Sequence, residues 1–167
     1  MKIEVTVGDL VDARTDAIVN AANTELWMGG GVAGAIKSAA GNEVESEAME
    51  QGPIEPGESV ITSAGQLPPP TRWIVHAATM GPDLMTSEDY IRRATASALA
   101  AAARAGATSI AFPALGTGVG GFPIARAAEV MVSEAVDFEP GSSLERVVFV
   151  VRGFDALRIF ADAISRR

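Results

Sequence analysis

The chain contains no cysteine and a single histidine among its 167 residues. The first absence excludes a disulfide framework, a thiolate zinc site and a cysteine nucleophile. The second leaves Ser-His-Asp chemistry with one candidate base, His76. No apolar run approaches the ~20 residues that span a bilayer, and the chain begins on a strand pattern rather than a signal peptide. A cytoplasmic setting with no membrane partner is therefore expected. Basic residues are also scarce: 13 Lys and Arg stand against 21 Asp and Glu, for a net charge of −8. Polymeric nucleic acid is held by basic clusters that release counterions, so it is not expected as a partner.

What remains is the composition of a folded protein, 48% hydrophobic and 20% charged. The length fits one domain over residues 1–167, enough to bury roughly 70% of the unfolded surface. Lys2 to Val7 alternates as a half-exposed strand, with Ile3, Val5 and Val7 on one side. Gly8, Asp9 and Leu10 end it, and Asp9 on its own reads as a turn aspartate bonding its own backbone. Asn42 to Gln51 reads as a short acidic helix whose carboxylates form a solvated face. Ser59 to Ala64 and Arg72 to Thr79 are strands separated by a proline-rich turn. His76 lies inside the second of them, where a lone histidine reads as a hydrogen-bonded core residue rather than a catalyst. Thr86 or Ser87 caps a helix over Glu88 to Ala105, ended by Gly106. Ser109 to Pro113 is a buried strand, Pro123 opens a helix over Ile124 to Val136, and Arg146 to Arg152 is the last strand. A final helix runs from Ala156 to Ser165 with Asp155 as its cap. The order is β β α α β β α β α β α, a layered α/β structure.

Two stretches carry the chemistry. In Asp16 to Gly41, the apolar run Ala17-Ile18-Val19 predicts an interior strand, and Asn20 and Asn23 arrive where it runs out. Gly29-Gly30-Gly31 then permits a left-handed backbone or a close approach, and from Val32 the pattern is helical. A glycine turn opening a helix presents unpaired N–H groups and the positive end of the helix dipole, a place suited to pyrophosphate. Ala114 to Pro123, ALGTGVGGFP, repeats the arrangement of strand, glycine turn and helix. No arginine lies in either stretch, so a phosphate there must be held by backbone amides.

Both loops fit G-x-G-x-x-G, at Gly29, Gly31 and Gly34 and at Gly116, Gly118 and Gly121. The dinucleotide fold also requires the strand to run straight into the first glycine and an acidic residue at the end of the next strand. Nine residues separate Val19 from Gly29, and Glu50 and Glu139 fall at a helix end and in a loop. Neither loop supplies the Gly-Lys-Ser/Thr of a P-loop. Side by side, the loops form a grip on a pyrophosphate; apart, they are tight turns.

Taken together, Val7-Gly8-Asp9-Leu10, Asp16 to Asn23 running into Gly29-Gly30-Gly31-Val32, and Phe112 to Pro123 resemble a macro domain, the ADP-ribose-binding family. The resemblance implies a three-layer α/β/α sandwich with a mixed six-stranded sheet. It implies that Asp9 accepts from the adenine amino group, that Leu10 bonds adenine through its backbone, and that Asn23 holds the distal ribose and serves catalysis. Gly30, Gly31 and Val32 would flank ribose and pyrophosphate, Thr117, Gly118, Val119 and Gly120 would wrap the phosphates, and Phe122 would close the loop. Asn20, Gly116 and Gly121 complete the candidate ligand set. A carboxylate at Asp9 suits adenine and repels the guanine carbonyl. Trp27 and Met28 either shield the ribose or merely cover the body.

The chain departs from the family at Ala33, where many hydrolytic members carry aspartate, although members with alanine there still hydrolyse ADP-ribosyl esters. It departs again at Arg152, where several relatives stack an aromatic ring on adenine; the guanidinium plane or Phe154 takes that place here. The implied ligand is ADP-ribose or an ADP-ribosylated protein, and the implied activity is ADP-ribosyl ester hydrolysis, with a non-catalytic reader and a nicotinamide-dependent oxidoreductase as alternatives. No cofactor or metal is expected, and a monomer is.

Overall fold

A computed structural model describes residues 1–167. Six strands form one sheet: β1 Lys2–Val7, β2 Ala17–Asn23, β3 Ser59–Ser63, β4 Trp73–Met80, β5 Ser109–Phe112 and β6 Arg146–Val151. Five helices accompany them: α1 Gly31–Ala40, α2 Glu43–Met49, α3 Glu88–Arg104, α4 Ile124–Asp137 and α5 Phe154–Ser165. The element order matches the pattern read from sequence, with one addition, a 3₁₀ turn over Leu10–Asp12.

The sheet order is β1-β6-β5-β2-β4-β3. All neighbours run parallel except β3, which pairs antiparallel with β4 at the edge, so the sheet is mixed. Alternation of side chains sends Ala17, Val19, Ile110, Phe112, Val147 and Phe149 to one face, where they meet α3, α4 and α5. Their neighbours Ile18, Ala111, Val148 and Val150 face the other way and meet Ile36 of α1 and Val44 of α2. The result is a three-layer sandwich whose interior strands are apolar on both faces. No helix is long and apolar enough to cross a membrane.

Local signals act largely as expected. Ser87 caps α3 by accepting the Tyr90 N–H at 3.1 Å. Pro123 sits at the cap of α4 rather than as its first helical residue, and α5 begins at Phe154 behind Gly153, so Asp155 lies in the first turn and is not the cap. The acidic face assigned to α2 is not simply solvated. Glu47 accepts the Ser63 N–H at 3.0 Å and the Ser63 hydroxyl at 2.7 Å. Glu45 turns toward the first glycine stretch.

Strand β2 is longer than its apolar run predicts, because it continues through both asparagines to Asn23. That extension places Asn20 opposite His76 of β4. His76 is fully buried, with Asn20 Nδ2 3.1 Å from Nδ1 and Thr62 Oγ1 3.0 Å from Nε2. Thr62 Oγ1 itself donates to the Ser63 carbonyl, so it accepts from Nε2–H and leaves Nδ1 bare to accept from Asn20. Burial favours this neutral form and lowers the imidazole pKa to about 4, against a small opposing pull from Glu47. The reading of His76 as a core residue holds.

Candidate functional site

Strands β2 and β5 are parallel neighbours, paired at Ala17 with Ile110 and Ile18 with Ala111. After β2 the chain crosses to α1 on one face of the sheet; after β5 it crosses to α4 on the other. Connections that leave adjacent strands in opposite directions open a crevice at the carboxyl ends of those strands. The two glycine loops therefore meet. Val32, Pro113, Ala114 and Gly118 line both halves of one continuous cleft.

The first loop is anchored from its root. Asn23 Oδ1 accepts the N–H groups of Glu25 and Leu26 at 3.0 and 2.8 Å, and Asn23 Nδ2 donates to the Trp27 carbonyl at 3.2 Å. Leu26, at φ 67°, is buried beneath the turn. Beyond Met28 the donors are free: the N–H groups of Gly29 and Gly30 find no acceptor in the chain, while the Gly30 carbonyl accepts from Gly34 at 3.2 Å. Gly31 begins α1 at φ +62°. Gly34 is needed for close packing, since a Cβ there would sit 2.5 Å from the Gly29 carbonyl oxygen. The helix N-terminus and the loose amides thus lie at the cleft wall, which Gly29, Gly30 and Gly31 help to form, and bring a positive end of the helix dipole there.

The second loop is folded on itself. Phe122 N–H bonds Gly116 O at 2.9 Å, Gly121 N–H bonds Gly118 O at 3.0 Å, and the Thr117 hydroxyl donates to Ala114 O at 2.8 Å. The N–H groups of Gly118, Val119 and Gly120 have no acceptor. Gly120 leaves room for Thr86, whose Cγ2 would lie 2.7 Å from an added Cβ; at Gly118 an added Cβ meets nothing within 4 Å and faces open cleft.

The wider half of the cleft, about 480 Å³, is lined by Asp9, Leu10, Ile36, Thr117, Arg152 and Ile159 among others. Asp9 does what a turn aspartate does, accepting the Val11 N–H on Oδ1 at 3.3 Å. Its Oδ2 makes no bond within the chain and remains an acceptor, so the turn role and a ligand role coexist. The other half, about 320 Å³, holds Asn23, Trp27, Gly30, Gly31, Gly116, Val119 and Gly120 and no charged side chain. Its rim is apolar, made by Trp27, Val119 and Leu84, which are 46%, 73% and 37% exposed.

The structure brings together Asp9, Leu10, Asn23, Gly30, Gly31, Val32, Gly116, Thr117, Gly118, Val119, Gly120 and Arg152. Four expected residues lie elsewhere. Asn20 is buried against His76, as the extended strand requires. Gly121 serves the turn at φ +64°, and Phe122 packs, half-buried, against the larger core cluster. Phe154 is 72% exposed and does not line the cleft, which leaves Arg152 as the planar group beside the wider half. Sequence reasoning missed Met80 and Leu84, which form a third wall of the narrower half. Leu84 holds φ 62° without being glycine, a strain that marks positions fixed by their surroundings. No group of three or more His, Asp or Glu side chains is placed to hold a metal ion.

A family model described as Macro domain matches residues 19–131. An uncharacterized protein of Mycobacterium tuberculosis is 47% identical over 165 residues, covering 99% of this chain and 45% of the relative, so the chain spans less than half the length of that protein. An O-acetyl-ADP-ribose deacetylase of an Enterobacter species is 42% identical over 175 residues, covering 99% of this chain and 95% of the relative. Among solved structures, the Trypanosoma brucei macrodomain in complex with ADP-ribose superposes with a TM-score of 0.87 at 33% identity, over 97% of this chain and 68% of the other. The Oceanobacillus iheyensis macrodomain with ADP gives a TM-score of 0.84 at 32% identity, over 98% and 90%.

Proposed function

The chain belongs to the macro domain family, and on that premise we propose that it binds ADP-ribose in the cleft and hydrolyses ADP-ribosyl esters, on acidic side chains or as small ADP-ribose esters. The observation that carries this reading is the convergence on one cleft of two glycine loops whose amides have no acceptor within the chain. A pyrophosphate placed between them receives main-chain hydrogen bonds and the α1 dipole. An acidic protein can hold an anion in this way without a basic pocket.

The base enters the wider half, where Asp9 Oδ2 accepts the adenine amino group and the Arg152 guanidinium offers a stacking plane. The distal ribose enters the uncharged half beside Asn23. Asn23 Nδ2 keeps one hydrogen after bonding Trp27, and it serves the ribose and a water held by a pyrophosphate oxygen of the substrate. Ala33 lines this half where a carboxylate would otherwise activate water, so the substrate phosphate takes that part. Fixing water and ester in one geometry supplies the acceleration. The apolar rim suits the neutral carboxylic ester.

The missing carboxylate equally supports a second reading, a module that binds ADP-ribose without turnover. Incubation with glutamate-linked ADP-ribosylated protein and with O-acetyl-ADP-ribose separates the two. Release of ADP-ribose or acetate supports the hydrolase; an intact substrate that competes with ADP-ribose supports the reader; no competition at all removes both.

A further inference from the structure

The Trp27–Met28 peptide unit immediately precedes Gly29-Gly30-Gly31, and it is held at both ends by side chains. Its carbonyl accepts from Asn23 Nδ2 at 3.2 Å, and its N–H donates to Glu45 Oε2 at 2.5 Å. Glu45 comes from α2, and its other oxygen meets the Lys37 ammonium of α1 at 2.8 Å. These bonds, first that of Lys37 and then that of Met28, lower the Glu45 pKa below the usual carboxylate range, so the group stays charged at neutral pH. Glycines have little backbone preference of their own. The direction in which the Gly29 and Gly30 amides point is therefore set by the last fixed peptide before them and by the placement of α1 after them; Glu45 bonds that peptide directly and meets α1 at Lys37 in its last turn.

We propose that Glu45 is a positioning residue of the ligand site, clamping the Trp27–Met28 peptide and α1 so that the first glycine loop is held ready for the distal ribose of ADP-ribose. This rests on the ADP-ribose reading above. Glu45 does not line the cleft, so its action runs through the loop it holds. Its effect falls on the first loop, which ADP meets through its phosphates alone and ADP-ribose through the phosphates and the distal ribose, so a larger loss is predicted for ADP-ribose than for ADP.

The test is calorimetric titration of ADP-ribose and of ADP into the protein and its variants. Glu45→Ala is expected to weaken ADP-ribose by about tenfold and ADP by a smaller factor, about threefold. Glu45→Gln, which keeps an acceptor for the Met28 N–H, is expected to recover most of the loss. Equal losses for both ligands, or no loss for either, overturn the proposal. Should Glu45→Ala not fold, Lys37→Met releases the carboxylate from α1, and a loss of about threefold for ADP-ribose, again larger than that for ADP, is expected in its place. Hydrogen exchange at the Met28 amide, measured without ligand, reads the clamp separately: it quickens in Glu45→Ala if the clamp exists, and unchanged exchange overturns it. Failure of the unmodified protein to bind either nucleotide would instead remove the ADP-ribose reading.

Discussion

Asn23 and Glu45 grip the same peptide unit from opposite ends, one at the Trp27 carbonyl and one at the Met28 N–H. Asn23 is thus the root of the loop as well as a residue lining the cleft, because its Oδ1 also takes two backbone N–H groups. Asn23→Ala removes three side-chain bonds that hold the loop, although the Leu26 N–H keeps the backbone carbonyl of residue 23 at 3.2 Å, and it is expected to lower stability by about 1–2 kcal/mol. Ester turnover should fall further than ADP binding. Thermal melting and initial rates on the same samples check this, and unchanged melting would mean that the loop holds itself.

Gly118→Glu places a charged side chain where nothing lies within 4 Å of the new Cβ. The fold is expected to survive with the same melting temperature, while bulk and charge exclude the pyrophosphate. ADP-ribose, which raises the melting temperature of the unmodified protein by binding the folded state, should have no effect on the variant. A retained shift would move the phosphates away from the second loop.

Asp9 has one oxygen committed to Val11 and one free. Asp9→Asn keeps an acceptor for Val11 but can turn an amide donor toward the adenine amine. A loss of about 1.5–3 kcal/mol in ADP-ribose binding is expected, with little change in stability. Unchanged affinity by calorimetry would place the base elsewhere.

His76 supplies a pH signature unrelated to ligand. The unfolded imidazole titrates near 6.5, whereas the folded one is held to about 4 by burial, so between those values the unfolded state binds more protons and stability falls as pH falls. The two values correspond to about 3 kcal/mol, complete near pH 4 and absent above pH 6.5. Down to about pH 4.5, where carboxylates begin to contribute, the slope should vanish in His76→Gln. A slope of the same size in that variant would assign it to other groups.

The order of strands and helices was legible because apolar runs, alternation and caps are local signals. The meeting of the glycine loops follows from β2 and β5 being parallel neighbours, which sequence pattern suggests only as one possibility. Asn20 shows where local reading fails. Its partner, His76, is 56 residues away, so nothing beside it in the chain marks it as an interior residue. Phe154, a large apolar residue next to Arg152, has the local character of a stacking residue, and only its place as the first residue of α5, exposed and outside the cleft lining, sets it apart. Leu84 and Glu45 carried no motif. A leucine in a left-handed turn and a glutamate on an acidic helix become meaningful only through the loops they face.

The most direct test of the central claim is to follow backbone amide resonances while adding ADP-ribose. The account predicts that the amides of Gly29 to Val32 and of Thr117 to Gly120 shift together, at one common saturation point. Shifts confined to a single loop, or centred away from both, would contradict it.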